Sequence, residues 1–214
     1  MMSITLVIII FTALVSISVF GQRRAIDQLI FDPAAVTNQN QWYRFFTCGL
    51  IHADWEHLLF NMLSLYLFGQ IVEPAFESDY LFAENGKMLY LLLYILALPL
   101  SLLPTYFQHK DNRRYRSLGA SGAVSAIVFA GILFNPTAKM GFFLIPPIIP
   151  GYIFGPLYLL ISAWLGKRGA DQINHSAHIS GAIAGVALTC LLAWSLQTSY
   201  QPWQQFVLKV SREF

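Results

Sequence analysis

Residues 175–195 read HSAHISGAIAGVALTCLLAWS, a run with no Asp, Glu, Lys or Arg that opens with two histidines. It lies inside a longer charge-free window that extends from residue 172 to residue 208. An α-helix needs about 20 apolar residues to cross the ~30 Å hydrocarbon core of a bilayer. The run therefore predicts a membrane helix with polar groups at its N-terminal end and small residues along one face.

Four other windows of similar or greater length lack charged residues: 1–22, 88–109, 117–138 and 140–166. A sixth apolar window, 57–72, is shorter but can be extended at its ends. Only 11% of the 214 residues are charged and 56% are hydrophobic, whereas an ordinary soluble domain carries about 25% charged residues. This composition excludes a disordered chain, a coiled coil and a basic nucleic-acid-binding protein, and it argues against a soluble globular domain.

In lipid each segment must satisfy its own backbone hydrogen bonds, so every apolar window is predicted to be a helix. We predict an all-α membrane protein in which one transmembrane domain covers residues 1–214. Six transmembrane helices are expected, with a long, partly membrane-embedded first loop over 21–56 and an interfacial tail over 198–214. The predicted helices cover approximately residues 4–20, 55–72, 87–106, 119–134, 151–166 and 176–197.

Several boundaries of these helices follow from prolines and charges. Pro99 and Pro104 are expected to bend or end the third helix, and the acid-rich segment 73–87 is expected to form a solvated turn. Four prolines predict that residues 141–150 form an irregular loop. The first apolar window could also be a signal peptide. Its start carries no positive charge and no convincing small-residue cleavage site follows, which favours a retained helix.

Polar residues cluster at the starts of the second, fourth and sixth predicted helices. Six sequential spans place these three starts on the same side of the bilayer, where ionisable groups at membrane depth are functional candidates. The clusters are His52, His57 and Asn61; Gly119, Ser121 and Gly122; and His175 and His178. Each cluster alone has an ordinary explanation in helix packing or in contact with the membrane interface, but their joint occurrence favours one shared site.

Ser121 and His178 are the two residues of these clusters that could form a nucleophile and its base. Ser121 is flanked by small residues near a helix N-terminus, where free backbone N–H groups favour developing negative charge. The sixth predicted helix has a face of small residues, Ala182 and Gly185 with Gly181 beside them, and the fourth has a matching face at four-residue spacing, Gly122, Ala126 and Ala130. Such faces let two membrane helices approach closely. Close approach would bring the Ser121 hydroxyl within hydrogen-bond reach of His178, as an activated nucleophile requires.

In combination, these motifs resemble the rhomboid intramembrane serine proteases over about residues 42–190. The matching motifs are Trp42-x-Arg44-x2-Thr47, His52-x4-His57-x3-Asn61, Phe68-Gly69-x3-Glu73, Gly119-x-Ser121-Gly122 and Ala177-His178-x2-Gly181-x3-Gly185. The resemblance implies a core of six transmembrane helices and a serine endopeptidase that uses neither a metal nor another cofactor.

The resemblance also implies a role for each matched residue. Ser121 would be the nucleophile and His178 the general base and acid of a dyad. His57 and Asn61, with the backbone N–H of Ser121, would form the oxyanion hole. The other matched residues would support the site: Trp42 and Arg44 in the first loop, Gly119, Gly122, Gly181 and Gly185 in helix packing, and Glu73 at the far end of the second helix.

The implied substrates are single-span transmembrane proteins, cut near small residues after they enter laterally past the fifth predicted helix. The implied location is the lipid bilayer, and we expect the cell (inner) membrane of a bacterium. The resemblance places the N-terminus in the cytoplasm. Nine Lys and Arg residues would then lie on the active-site side and four on the cytoplasmic side, which is opposite to the positive-inside rule.

Three other functions fit parts of the sequence. A non-catalytic rhomboid-like membrane protein that binds or sorts transmembrane clients usually lacks the serine or the histidine, and both are present. A small transporter is disfavoured because no paired charges and no internal repeat occur at membrane depth. A membrane metalloprotease that uses the histidines would be expected to carry a His-Glu-x-x-His motif, which this sequence lacks.

Overall fold

The structure is a computed structural model that describes residues 2–141, 146–168 and 173–214 and consists mainly of α-helices. The helices are α1 (Ile4–Val19), α2 (Arg23–Leu29), α3 (Pro33–Gln39), α4 (Arg44–Thr47), α5 (Trp55–Glu77), α6 (Gly86–His109), α7 (Ser121–Phe134), α8 (Gly151–Arg168), α9 (His175–Ser195) and α10 (Pro202–Ser211). Short 3-10 turns, Cys48–Leu50 and Ala83–Asn85, precede α5 and α6. Strands β1 (Lys139–Met140) and β2 (Ile149–Pro150) pair in antiparallel fashion between α7 and α8.

Length and hydropathy identify membrane helices within the described part of the chain. Trp55–Glu77, Ala83–His109 and His175–Ser195 are each long and apolar enough to cross a bilayer, and Ile4–Val19 and Ser121–Phe134 are shorter apolar helices. The protein is therefore an all-α membrane protein, as predicted.

Helix α7 lies at the centre of the bundle. It packs against α5, α6 and α9, and nearly all of its residues are buried. A helix that is hydrophobic on every side must be enclosed by other elements or by lipid. Here the enclosing elements are neighbouring helices, and they hold the start of α7 in place.

Glycines bring α7 and α9 into backbone contact. A Cβ atom on Gly181 would overlap the carbonyl oxygen of Gly122, and a Cβ atom on Gly185 would overlap that of Ala126. No residue other than glycine fits at Gly181 or Gly185 without moving the helices apart. The small-residue faces predicted from the sequence are therefore the surfaces along which these two helices meet.

Glu73 anchors the N-terminus of α1 and does not lie in a solvated turn. Its carboxylate accepts hydrogen bonds from the hydroxyls of Ser3 and Thr5, each at 2.6 Å, and from the backbone N–H groups of Ile4 and Thr5. The side chain is buried. A carboxylate is stabilised at a helix N-terminus by unpaired N–H groups and by the helix dipole, which explains why Glu73 can be buried. Helix α5 continues to Glu77 instead of ending near residue 72.

Two other predicted features differ from the structure. Of the two outcomes expected for Pro99 and Pro104, an end of the helix is wrong, because α6 continues through both prolines to His109. Neighbouring helices and side chains can satisfy the backbone groups that a proline frees. The predicted loop 21–56 contains α2, α3 and α4. Asp32 caps α3 by accepting a hydrogen bond from the N–H of Ala35, and Pro33 occupies the first position of that helix; both are strong start signals. Residues 142–145 of the predicted irregular loop lie outside the described residues.

Candidate active site

Ser121 is the first residue of α7, and the chain leading to it is held by the first loop. Gly119 has a φ of +112°, a conformation that glycine adopts without steric cost. Its N–H donates to the carbonyl oxygen of Cys48 at 2.9 Å. The N–H of Ala120 donates to Nε2 of His52 at 3.3 Å. Ser121 thus lies where the first N–H groups of a helix have no partner within the helix.

His52 is fully buried beside this turn, and its hydrogen bonds identify its tautomer. Nε2 accepts from Ala120, so the proton lies on Nδ1, which is 2.8 Å from the Ser16 hydroxyl. Ser16 in turn donates to the carbonyl oxygen of Leu50. Burial, with a smaller contribution from the neighbouring imidazole of His57, lowers the pKa of His52 to about 3. The ring is therefore neutral near pH 7 and links α1 to the start of α7.

His178 lies at the end of the first turn of α9 and contacts the hydroxyl of Ser121. Its Nε2 atom is 2.7 Å from Oγ of Ser121, and its Nδ1 atom is 3.1 Å from the hydroxyl of Tyr158 on α8. The distance to the serine is that of a good hydrogen bond. Because Ser121 and His178 both occupy the first turn of their helices, α7 and α9 begin on the same side of the bundle.

His57 and Asn61 lie on α5, and His57 contacts the same turn. The imidazole of His57 packs against Gly119, so that a Cβ atom there would be 2.7 Å from Nε2 of the ring. Nδ1 of His57 accepts from the N–H of Ala53 at 3.4 Å, which leaves Nε2–H as a donor facing the serine turn. Asn61 is buried one turn further along, and its amide donates to the carbonyl of His57 at 2.8 Å. An amide carries two donor hydrogens, so one remains for a ligand.

A small cavity lies behind the serine, between α6, α7 and the start of α9. Its volume is about 20 Å³, enough for about one water molecule. Polar and apolar residues line it together: Cys48, Leu98, Ser101, Leu102, Ser117, Leu118, Gly119, Ser121, Gly122, Ala123, Asn174 and Ala177. Burial raises the pKa of the Cys48 thiol to about 12, so this thiol stays protonated.

Arg44 organises the first loop that holds the serine turn. Its guanidinium donates to the carbonyl oxygens of Asp27 and Ile30 at 2.9 and 2.6 Å, and to the side chain of Gln41 at 2.6 Å. Arg44 is buried despite its charge, and buried charged groups require such partners. Trp42 is half exposed and stacks on Phe45. Both residues lie in the loop, as the motif predicted, and neither is shown in contact with Ser121.

The family model for the Rhomboid domain matches residues 39–195, the part of the chain that contains Arg44, His57, Asn61, Ser121 and His178. The chain belongs to the rhomboid family. The resemblance drawn from its motifs is confirmed.

Three relatives of this rhomboid show how far the similarity extends. Rhomboid-like protein 11, chloroplastic, of Arabidopsis thaliana is 30% identical over 164 residues, which are 71% of this chain and 53% of the relative. RHOMBOID-like protein 12, mitochondrial, of the same plant is 30% identical over 149 residues, 66% of this chain and 44% of the relative. Rhomboid protease GlpG of Enterobacter sp. (strain 638) is 28% identical over 172 residues, 80% of this chain and 55% of the relative.

This rhomboid spans about half the length of the relatives it matches. One relative is named as chloroplastic, one is named as mitochondrial, and the third comes from a bacterium. The apolar helices support a membrane location, but the predicted bacterial inner membrane is not supported.

Two residues of the rhomboid site were not singled out from the sequence. Asn174 caps α9 by accepting from the N–H of Ala177 and also accepts from the hydroxyl of Thr105 on α6. An Asn directly before a predicted helix is a capping signal, so this residue could have been found. Tyr158 is one of several aromatic residues in the apolar α8 segment, and the sequence contains no signal that distinguishes it.

Proposed function

We propose that this rhomboid is an intramembrane serine endopeptidase with Ser121 as nucleophile and His178 as general base and acid. The observation that carries the proposal is the 2.7 Å contact between Oγ of Ser121 and Nε2 of His178. A hydroxyl is a weak nucleophile unless an adjacent base accepts its proton.

In the first step, Oγ attacks the carbonyl carbon of the scissile peptide bond as its proton passes to Nε2 of His178. The carbonyl oxygen becomes an oxyanion. The donors proposed for it are the backbone N–H of Ser121, Nε2–H of His57 and the second amide hydrogen of Asn61. Losing one such donor typically lowers kcat about 10²–10³-fold. His178 then donates the proton to the leaving amine, and the peptide bond breaks.

In the second step, a water oxygen attacks the acyl carbon while His178 accepts a proton from that water. The ester bond to Ser121 then breaks, and His178 returns the proton to Oγ, which releases the carboxylic acid and regenerates the serine. The 20 Å³ cavity beside Ser121 can hold a water molecule next to the serine. Ser101, Ser117 and Asn174 supply polar groups to its lining, as a stable buried water requires.

We propose six membrane spans: α1, α5, α6, α7, α8 and α9. Helix α7 has 14 residues, about 21 Å at 1.5 Å per residue, and so is shorter than the ~30 Å hydrocarbon core. Ser121, at its first residue, would then lie below the membrane surface in a cavity open to one aqueous side. Residues 1–214 would form one transmembrane domain.

The proposed substrates are single-span transmembrane proteins, which would enter past α8. Few residues of α8 are buried: Gly151, Phe154, Gly155 and Ser162. Its contacts with α7 and α9 are also much less extensive than those between α7 and α9. A loosely packed helix can move at low energetic cost. Disulfide cross-linking of α8 to α5 is expected to block cleavage of a transmembrane substrate, and unchanged cleavage would contradict lateral entry.

Labelling with a fluorophosphonate probe tests the proposed nucleophile and base. The unmodified protein is expected to label at Ser121, while Ser121→Ala and His178→Ala are expected to lose labelling. Ser180→Ala, a serine change two residues from His178, serves as the matched control and should label normally. A chelator should leave labelling and cleavage unchanged. Absence of labelling in the unmodified protein would contradict the protease and favour the non-catalytic client-binding alternative.

A further inference from the structure

Both ring nitrogens of His178 have partners, and these come from different helices. Nε2 contacts Ser121 on α7 at 2.7 Å, while Nδ1 is 3.1 Å from the hydroxyl of Tyr158 on α8. In a serine protease triad, a carboxylate occupies the position on Nδ1 and holds the imidazole in the productive tautomer. Here a phenol occupies that position.

The proposed chemistry requires one tautomer of His178. Nε2 can accept the proton of Ser121 only if it is unprotonated, so the ring proton must lie on Nδ1. Nδ1–H can then donate to the oxygen of Tyr158. That arrangement is stable only if the hydroxyl hydrogen of Tyr158 points elsewhere, to another acceptor.

Ser125 and Ser162 can supply that acceptor. Both hydroxyls lie beside the hydroxyl of Tyr158, both side chains are buried, and a serine hydroxyl can either donate or accept. A helical serine can donate its own proton to the carbonyl four residues earlier, which leaves oxygen lone pairs free to accept from Tyr158. Each group would therefore donate a hydrogen bond to the next: Ser121 to His178, His178 to Tyr158, and Tyr158 to a buried serine.

Neighbouring aromatic rings fix the direction of the Tyr158 hydroxyl. The ring stacks on Phe154 with centroids 6.3 Å apart, and it contacts Phe129 of α7 at 5.9 Å. These contacts involve only the ring carbons. Replacing Tyr158 by Phe would keep the packing and remove only the oxygen.

We propose that Tyr158 is a positioning residue that holds the imidazole of His178 in the tautomer with Nδ1 protonated. The proposal rests on the proposed function. When Oγ of Ser121 bonds to the substrate carbon, the serine O–H bond breaks and the proton moves to Nε2. The Nδ1–H and Tyr158 O–H bonds both stay intact, and a lone pair of the Tyr158 oxygen faces the new imidazolium charge.

The test compares Tyr158→Phe with the unmodified protein in cleavage of a transmembrane substrate. We expect kcat to fall about three- to tenfold, the effect of losing one neutral hydrogen bond, with KM unchanged. Tyr152→Phe removes a hydroxyl from the same helix without touching His178, and it should leave both constants unchanged. The double variant Ser125→Ala/Ser162→Ala should also lower kcat, because the Tyr158 proton would then turn toward Nδ1.

The ¹⁵N chemical shifts of labelled histidine show which ring nitrogen carries the proton. A change in packing alone would not alter this protonation. The shifts of His178 should show a protonated Nδ1 in the unmodified protein and a mixture of tautomers in Tyr158→Phe. If the unmodified protein labels with fluorophosphonate while Tyr158→Phe keeps full kcat and the same tautomer, the role of Tyr158 is refuted and the protease stands. A fall in kcat accompanied by altered KM and lower thermal stability would also refute it, since α8 would merely have loosened.

Discussion

Replacing Gly181 with alanine tests whether backbone contact between α7 and α9 sets the geometry of the site. The added methyl group would overlap the carbonyl oxygen of Gly122, and backbone atoms cannot rotate away as the end of a side chain can. The two helices must therefore separate, by on the order of 1 Å to reach ordinary van der Waals contact. A shift of that size would lengthen the 2.7 Å contact between Ser121 and His178 beyond the limit of a hydrogen bond.

The expected magnitudes separate catalysis from stability. A misplacement of about 1 Å can lower the rate about 10²-fold. Overpacking costs about 1–3 kcal/mol, while alanine is more favourable than glycine in a helix interior by about 1 kcal/mol. The net destabilisation of Gly181→Ala is therefore at most about 2 kcal/mol, so the variant should remain folded while losing most of its activity.

The assay is the rate of fluorophosphonate labelling, together with thermal unfolding in detergent. Gly155→Ala on α8 is the matched control, because its added Cβ would lie 3.3 Å from Phe129 and would require only a small adjustment. We expect Gly155→Ala to label at nearly the normal rate and Gly181→Ala to label about 10²-fold more slowly. Normal labelling of a folded Gly181→Ala would refute the claim that the glycine contact holds the dyad together.

Two further predictions concern the first loop. His52 has a pKa of about 3 in the folded protein against about 6.5 when unfolded, so the unfolded state binds an extra proton as pH falls below 6.5. As pH falls from 6.5 to 4.5, His52 should therefore lower the free energy of unfolding by on the order of 2 kcal/mol. The variant His52→Gln should lack this part of the pH dependence. Arg44→Ala removes the donors to the carbonyl oxygens of Asp27 and Ile30 and should speed limited proteolysis within residues 23–47. Arg113→Ala, in the exposed loop, is the control and should leave the rate of proteolysis unchanged. Equal rates in the two variants would contradict the anchoring role of Arg44.

The sequence predicts the parts of the site that depend on local patterns. Charge-free windows predict the membrane helices because lipid leaves the backbone few alternatives. Small residues at four-residue spacing in α7 and α9 predict a close helix pair, and the structure shows their backbones in contact at Gly181 and Gly185. The positions of Ser121 and His178 near the starts of these helices follow from the predicted helix boundaries, near residues 119 and 176.

The sequence does not predict contacts that depend on how distant helices are placed. The segment after residue 72 is rich in acids and suggests a turn, but Glu73 is buried because the N-terminus of α1 happens to lie beside it. Tyr158 reaches His178 only because α8 packs against the start of α9. Neither contact leaves a periodic or motif-like signal in its own segment.

The position of Ser121 depends mainly on backbone atoms. The N–H of Gly119 donates to a carbonyl, that of Ala120 to the ring of His52, and the backbone of Gly122 touches α9. Two of these three contacts come from Cys48 and His52 in the first loop, so any movement of that loop shifts the serine itself. Arg44 holds another part of the same loop by donating to the carbonyl oxygens of Asp27 and Ile30, so it helps to set the distance between Ser121 and His178 through the loop.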